Sequence, residues 1–262
     1  MLKRRLLIGA GFCVHNEEDY IAYSMRAVYD FADIIAVSIN TGTPWGGQSE
    51  ELDSTLDIVK SFPDPAGKIR LQTGEWKNEI EQRTANLNLI RGEIDYYMIV
   101  DADEIYDSKD LHRLKSYIAW RPYIGQFRMR LNTYWKANPF YKIEPPENLR
   151  AYVISRVHAD TRFINLRRTN EQWRITVPRK VAICHHFSYA RPSEKILQKL
   201  RNFSHKDEVL PNWYENVWLA WDANSQMTDL HPVRPSAYKR ASRVSSEELP
   251  DVIRGHPFAE PR

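Results

Sequence analysis

The chain has 262 residues, of which 42% are hydrophobic and 27% charged, with 15 Pro and 10 Gly. This balance is typical of a globular protein and excludes a collagen-like, low-complexity or wholly disordered chain. The formal net charge is only +3, but residues 1–104 carry 10 Lys and Arg against 18 Asp and Glu, whereas residues 105–262 carry 27 against 16. This asymmetry indicates either that the two halves meet different partners or that they present two solvated faces.

The two cysteines, Cys13 and Cys184, both lie in apolar runs, which excludes a disulfide scaffold and favours buried, reduced thiols. No apolar run approaches the roughly 18–20 residues of a membrane span. Residues 3–14 imitate the charged and apolar regions of a signal peptide, but a polar segment follows them without a small-residue cleavage pattern. We therefore expect a first β-strand there and a cytoplasmic protein, in the host cytoplasm if the source is viral.

The first hundred residues alternate between apolar runs and amphipathic segments. Apolar runs predict buried strands at residues 6–14, 34–39 and 96–100, and the turn residues at 64–67 predict a further strand at 68–72. Helical spacing predicts one helix capped by Asn16 and two more at residues 50–61 and 76–91, with a loop at residues 41–47. This order predicts a parallel sheet with helices on both faces.

The second half has a less regular pattern. It predicts strands at residues 126–130, 151–156 and 181–184, a helix at 193–204 and a short aromatic helix at 213–221. Residues 231–262 are rich in Pro, Arg and Ser, which predicts a surface-hugging or partly loose tail. We predict one mixed domain over residues 1–205 and an extension over residues 206–262.

The carboxyl end of the fourth predicted strand is the most informative stretch, because ligands bind at such ends in parallel sheets. Asp101 and Asp103 are two residues apart, so they project to the same side of an extended segment. Unpaired carboxylates are costly in such a position, and two of them suit Mg²⁺ or Mn²⁺. The alternative is a helix start with Asp103 or Glu104 in its first turn.

Four segments, in order over residues 8–200, resemble signatures of the GT-A nucleotide-sugar glycosyltransferases, especially the family 2 group. The first resembles an apolar strand followed by x-N-E-E-x-x-I, the second a W…R-x-x-N helix, the third the D-x-D motif and the fourth a late H-x-x-Y-x-R segment. In this sequence they are Val14-His15-Asn16-Glu17-Glu18-Asp19-Tyr20-Ile21, Trp76 with Arg83-Thr84-Ala85-Asn86, Val100-Asp101-Ala102-Asp103-Glu104, and Cys184-His185-His186-Phe187-Ser188-Tyr189-Ala190-Arg191.

The resemblance implies an α/β fold of the GT-A (Rossmann-like) type: a mixed sheet with mainly parallel N-terminal strands, helices on both faces and a C-terminal helical extension. Residues 1–104 would bind the nucleotide sugar and residues 105–205 the acceptor. One departure concerns the second strand, which in the family usually ends in an Asp; here Ile39 and Asn40 stand in its place.

The resemblance also implies roles for individual residues. Asp103 would be the principal ligand of Mn²⁺ or Mg²⁺, Asp101 would reach the ribose or the metal, and His186 would be a third ligand or a phosphate contact. The remaining residues implied to hold a UDP- or GDP-sugar are His15, Asn16, Glu17, Asn40, Arg83, Arg191 and Lys195, with Lys199 beside them. The alternatives are strand-end imidazoles that cap carbonyls, for His185 and His186, and a solvated helix face for the cations.

Inversion requires a general base beside the acceptor hydroxyl. The candidate carboxylates are Glu144, Glu147, Asp160 and Glu171. We favour Glu171, because it lies near where related enzymes often have a base; the alternative is an ion pair with Arg168 or Arg174. Glu104 would support Asp103 or touch sugar hydroxyls.

Residues 121–201 contain 17 basic and 5 acidic side chains, which favours an anionic acceptor: a glycan, a lipid-linked sugar or a modified DNA base. Two other functions remain open. A sugar-phosphate nucleotidyltransferase usually has a Gly-rich basic loop after its first strand, where this chain has Asn16-Glu17-Glu18. A non-catalytic carbohydrate- or nucleic-acid-binding module would not need the acidic pair.

Overall fold

A computed structural model describes residues 5–43, 45, 51–202 and 206–259. Its regular elements alternate in the first half and become strand-rich in the second. They are β1 Ile8–Val14, α1 Ile21–Tyr29, β2 Ile34–Asn40, α2 Thr55–Lys60, β3 Ile69–Gly74, α3 Glu79–Ile90, β4 Tyr96–Val100, β5 Glu104–Ile105, α4 Ser108–Ala119, β6 Gln126–Trp135, β7 Tyr141–Glu144, β8 Arg150–Arg156, β9 Arg174–Thr176, β10 Cys184–Tyr189, α5 Ser193–Asn202 and β11 Arg240–Arg243.

One mixed sheet organises the molecule, in the strand order β11-β7-β6-β8-β4-β1-β2-β3. Strands β3, β2, β1 and β4 run parallel, and β8 joins β4 in the antiparallel direction. Strand β10 pairs in parallel with β6 and in antiparallel with the short β5. The predicted mixed α/β fold with mainly parallel N-terminal strands is confirmed.

Alternating side chains of β1 explain why helices cover both faces of the sheet. Ile8, Ala10 and Phe12 are fully buried in the same core cluster as residues of α1. Gly9 and Gly11 point to the opposite face, where a Cβ on Gly9 would lie 2.6 Å from Ile90 Cδ1 of α3. Glycine at this position therefore allows α3 to approach the sheet closely.

The entry to α1 and α2 differs from the prediction. Asn16 has a φ of 48° and does not cap α1, which begins at Ile21. Its side chain instead donates to Glu51 O (2.9 Å) and accepts from Asp53 N (3.0 Å). These bonds hold residues 51–53 in an irregular segment, so α2 begins at Thr55; residues 44, 46, 47 and 50 of the predicted loop and helix lie outside the described residues.

The second half also departs from the prediction. Strand β6 continues to Trp135, and β10 begins at Cys184 and runs through both histidines instead of ending before them. Of the two alternatives for the tail, the structure agrees with the packed one, since β11 pairs with β7 and the His256 ring stacks on Tyr20 at 4.6 Å. The end of the helix predicted at 193–204 lies outside the described residues.

Two smaller expectations hold. A short helix is present at Tyr214–Leu219 within the predicted aromatic segment, and the Trp213 and Trp218 rings are buried against Trp135, with centroid distances of 6.0 and 4.7 Å. Cys13 and Cys184 are both free thiols. Within the described residues, no helix has the length and apolar character needed to span a membrane.

Candidate active site

A cavity of about 320 Å³ opens at the carboxyl ends of β1 and β4, a volume within the range of small-molecule sites. We call it the charged cavity. It brings together most of the predicted site residues, whereas Asn40, Glu104 and Glu171 do not line it. The lining residues are Cys13, His15, Asn16, Glu17, Trp45, Glu79, Arg83, Asp101, Ala102, Asp103, His186, Ser188, Arg191, Lys195, Gln198 and Lys199.

Two guanidinium groups hold the carboxylate of Asp101. Arg83 Nη2 donates to Oδ1 at 2.8 Å, and Arg167 Nη2 lies 3.0 Å from Oδ2. Burial alone would raise the pKa of Asp101, but the charges of Arg167 and Arg83 hold that pKa well below its usual range. Asp101 is therefore ionised, with both oxygens engaged.

Asp103 is almost fully buried and faces three basic side chains. Lys199 Nζ donates to Oδ2 at 3.1 Å, Arg191 Nη2 lies 3.7 Å from the same oxygen, and His186 Nε2 lies 3.7 Å from Oδ1. Burial opposes ionisation, yet the charges of Lys199, His186 and Arg191 lower the pKa of Asp103 to about 2. The second acidic residue of the motif is thus also ionised.

The cations predicted to grip a diphosphate are paired with the acidic segment that follows β1. Arg191 donates to Glu17 and, at 3.0 Å, to Asp19 Oδ2, while Lys195 Nζ donates to Glu18 Oε1 at 2.7 Å. Despite Arg191, burial raises the pKa of Glu17 above its usual value. Some basic side chains of the second half therefore form ion pairs with acidic side chains of the first half inside the molecule.

Several buried polar nitrogens of cavity-lining side chains make no hydrogen bond within the described part of the chain. They are Trp45 Nε1, Arg83 Nη1, His186 Nδ1 and Arg191 Nε. A buried N–H without an acceptor costs about 1–3 kcal/mol, so such groups are rare in finished structures. These nitrogens would find partners in a bound ligand rich in acceptor oxygens.

Two predicted residues lie behind the cavity instead of in it. The buried side chain of Asn40 donates to Thr43 O (3.2 Å) and accepts from Gly42 N (3.0 Å), so it closes its own loop and is not directed to a base or ribose. Glu104 Oε1 lies 2.8 Å from Arg167 Nη2, and its Oε2 accepts from Asp101 N at 3.3 Å. Glu104 therefore positions Asp101 and Arg167 and does not reach sugar hydroxyls.

Glu171, the favoured base, lies at a different cavity. Its Oε1 accepts from Thr161 Oγ1 at 2.9 Å, and neither Arg168 nor Arg174 is its ion-pair partner within the described residues. Glu171 lies away from the charged cavity because it precedes β9, and β9 pairs with the amino-terminal end of β6 at Gln126. Glu147 is closer to the predicted site: it accepts from Thr133, the residue that pairs with His186 between β6 and β10.

Arg167 is the residue that sequence reasoning missed. It lies between β8 and β9, in a segment bridged by Phe163 and Thr169, and reaches both Asp101 and Glu104. The sequence offers only an arginine doublet in a basic region as a signal, and such a doublet does not indicate which carboxylates it meets. His186, in contrast, lines the cavity as the motif spacing predicted, while His185 turns away to bond the Tyr134 hydroxyl at 2.8 Å.

The residues at the cavity fit a divalent ion with two protein ligands. Within the described residues, no group of three or more His, Cys, Asp or Glu side chains is arranged around a metal position. Asp103 Oδ1 and His186 Nε2 nevertheless face each other at 3.7 Å and offer the oxygen and nitrogen donors that Mn²⁺ accepts. One or two protein ligands suffice where substrate phosphates and water complete the coordination.

Comparisons with known proteins give structural likeness only. No protein-family model matches the chain, and no curated protein matches it. S. aureus TarS has a TM-score of 0.42 at 15% identity, over 78% of this chain and 42% of that one. A structure of residues 1–349 of TarS with UDP has a TM-score of 0.35 at 17% identity, over 49% of this chain and 36% of that one.

A third solved structure is 4-diphosphocytidyl-2C-methyl-D-erythritol synthase from Anaerococcus prevotii. It has a TM-score of 0.41 at 13% identity, over 74% of this chain and 94% of that one. The matches to the two TarS structures, in contrast, span less than half the length of those chains. At these scores the likenesses do not determine what this chain does, and the function has to be argued from the cavity itself.

Proposed function

We propose that the protein is a metal-dependent, inverting glycosyltransferase that moves a sugar from a nucleotide-sugar donor to a hydroxyl of an anionic acceptor. The observation that carries the proposal is the charged cavity, where buried nitrogens without acceptors surround an ionised acidic pair. A nucleoside diphosphate offers acceptor oxygens for those nitrogens and negative charge for Arg83, Arg191 and Lys199.

Transfer breaks the bond between the anomeric carbon and the diphosphate, so negative charge develops on the leaving group. The basic side chains of the cavity would stabilise that charge and orient the diphosphate. Mn²⁺ or Mg²⁺ held by Asp103 and His186 would supply Lewis-acid stabilisation of the same oxygens. Asp101, fixed by two arginines, would serve as an acceptor for a ribose hydroxyl.

Glu147 is the carboxylate that we propose as the general base. Of the four candidates, it is the one bonded to the strand neighbour of His186, through Thr133. Residues that pair across adjacent strands project to the same face, so Thr133 and His186 lie on one side of the sheet. An acceptor hydroxyl beside Glu147 could lose its proton there as its oxygen attacks the anomeric carbon.

We propose an anionic acceptor because residues 121–201 contain more basic side chains than their ion pairs within the protein use. Of the 17 basic residues between 121 and 201, Arg167, Arg191, Lys195 and Lys199 are paired with acidic side chains of the first half. Lys142 pairs with Glu248. The positive charge of the basic side chains outside these ion pairs would be available to an acceptor glycan, a lipid-linked sugar or a modified DNA base. Affinity for such an acceptor would fall as salt rises.

The decisive experiment measures donor hydrolysis with Mn²⁺ and a panel of UDP-, GDP- and TDP-sugars. We expect slow release of nucleoside diphosphate that falls by about 100-fold in Asp103→Asn and on addition of EDTA. Asp229→Asn is the matched control, because Asp229 is a surface partner of Lys239, and it should leave the rate unchanged. The proposal is wrong if no nucleotide sugar binds or turns over, or if a nucleoside triphosphate and a sugar phosphate release pyrophosphate instead.

A second measurement tests the base. Glu147→Gln should reduce transfer to an acceptor by about 100-fold while the Kd for UDP stays within twofold of the wild type. Glu144→Gln is the matched control, since Glu144 accepts from Ser242 in the β7–β11 pair and should leave transfer unchanged. Equal transfer rates in Glu147→Gln and wild type would remove Glu147 from the mechanism.

A further inference from the structure

A second cavity, of about 310 Å³, lies at the opposite end of the sheet from Asp101. Gly125 and Trp173 line it, just before the paired starts of β6 and β9, and so does Arg156, which pairs with the first residue of β4. The five residues of β4 separate the two ends of the sheet by about 16 Å. We call this second site the Trp173 cavity.

Two large aromatic side chains stand exposed at the rim of the Trp173 cavity. Tyr123 and Trp173 are 67% and 74% exposed. Trp173 also has a φ of 54°, in the left-handed region that a bulky side chain rarely adopts. The Trp173 side chain is mostly exposed, so its burial does not compensate for the backbone strain. Strain of this kind is typical of functional sites, which suggests that the ring contacts a ligand.

The backbone keeps Trp173 in this conformation. Gly125 N donates to Trp173 O at 3.0 Å, and Gln126 N donates to the same oxygen at 3.2 Å. A Cβ on Gly125 would lie 2.1 Å from Gln172 O, so only glycine permits this close approach. The ring is therefore carried on a fixed turn instead of a loose loop.

The polar groups of the Trp173 cavity suit hydroxyls rather than a charged ligand. Glu171 Oε2 and His158 Nε2 are 3.9 Å apart, so one hydroxyl can lie at about 2.8 Å from both. The charged side chains that line the cavity are Arg156, Asp160 and Glu171, with the imidazole of His158 beside Glu171. A phosphate or a nucleic acid would gain little from a lining with two carboxylates and one arginine, whereas a neutral ligand with several hydroxyls would find both donors and acceptors.

We propose that the Trp173 cavity binds a neutral carbohydrate. The apolar face of a pyranose ring would stack on Trp173 and Tyr123, and its hydroxyls would bond to Glu171 and His158. Flat aromatic surface together with planar polar groups is the chemistry that recognises sugars, which have one apolar face and an edge of hydroxyls. This site is separate from the charged cavity and does not depend on the function proposed there.

The experiment uses the full chain, first without any nucleotide and then with added UDP. Saturation-transfer NMR and calorimetry would be run with neutral oligomers of glucose, mannose, galactose and N-acetylglucosamine and with one acidic oligosaccharide. We expect at least one oligomer to bind, and Trp173→Gly to weaken that binding by tenfold or more. Glycine accepts the left-handed backbone, so this variant removes the ring without adding strain. Trp173→Phe should retain part of the affinity, and the exposed Trp120, which does not line the cavity, provides Trp120→Gly as a control with unchanged affinity.

Several outcomes would overturn the proposal: no oligomer binds, Trp173→Gly binds as tightly as the wild type, or only an acidic oligosaccharide binds. Competition by UDP would also overturn it, because it would assign the sugar to the charged cavity. Failure of donor hydrolysis leaves this result unaffected, since no donor is present.

Discussion

The two ends of the central sheet carry their polar groups in different ways. In the charged cavity, Arg191 and Asp103 have side chains only 5% and 7% exposed, and each pairs with further charged side chains. At the Trp173 cavity, Trp173 and Tyr123 are largely exposed and do not depend on a connected set of ion pairs. Because a buried charge is tolerated only while its partners are present, substitutions in the charged cavity should have large, mutually dependent effects, and substitutions in the Trp173 cavity small ones.

The largest effect is expected at Arg191. Replacing it with Met would leave Glu17, Asp19 and Asp103 without their shared cation, so the free energy of unfolding should fall by about 3–5 kcal/mol. Urea unfolding measures this loss. The matched control is Arg240→Met, since Arg240 is 70% exposed and lies 3.7 Å from its partner; it should change stability by at most about 0.5 kcal/mol. Similar losses in the two variants would contradict the dependence of the charged cavity on its buried ion pairs.

Arg167 tests whether the acidic pair and its supports behave as one network. Arg167→Met should lower the free energy of unfolding by about 3 kcal/mol, because it leaves Glu104 buried and unpaired. Adding Glu104→Gln should restore about 1 kcal/mol, since the uncompensated charge is then removed. A double variant whose loss equals the sum of the two single losses would show that the residues act independently.

The sequence predicts an element well where nearby residues determine it, and poorly where a contact with a distant residue determines it. The parallel strands β1, β2 and β4 follow from apolar runs, and β4 has the predicted bounds at Tyr96 and Val100. The boundaries of α2 were predicted less well, because the side chain of Asn16 holds residues 51–53 from a distance in sequence. Hydrophobic periodicity carries no information on such a contact.

The candidate site residues likewise differ in how well their positions could be predicted from the sequence. Asp101, Asp103 and His186 were located by motif spacing, since each follows or lies within a strand of the core sheet. Arg167 and Glu171 lie in a segment between β8 and β9 whose path is set by packing, including the contact of Phe163 with Tyr97. Their separation to opposite ends of the sheet therefore could not be predicted from a spacing of four residues.

The two histidines of β10 lie in different surroundings, and this difference predicts that the stability of the protein depends on pH. His186 faces the charged cavity, whereas His185 is buried beside Tyr134, and burial lowers the pKa of His185 to about 4. The unfolded chain therefore takes up this proton before the folded one, and stability is lost as pH falls from about 6.5 to 4. The loss should be about 3 kcal/mol in urea unfolding and should shrink in His185→Gln. An unchanged slope in that variant would contradict the assignment.

The smallest effect, and one of opposite sign, is expected at the Trp173 cavity. Trp173→Gly relieves a left-handed backbone conformation and removes little buried surface, so it should raise the free energy of unfolding by roughly 0.5–1 kcal/mol. Trp120→Gly is the matched control, because Trp120 is equally exposed but has a φ of −81° at the end of α4. There the added freedom of glycine should lower stability by about 0.5–1 kcal/mol. Opposite signs in these two variants would show that Trp173 is kept at a cost to the fold, and a loss of stability in both would remove the strain from the argument for a sugar site.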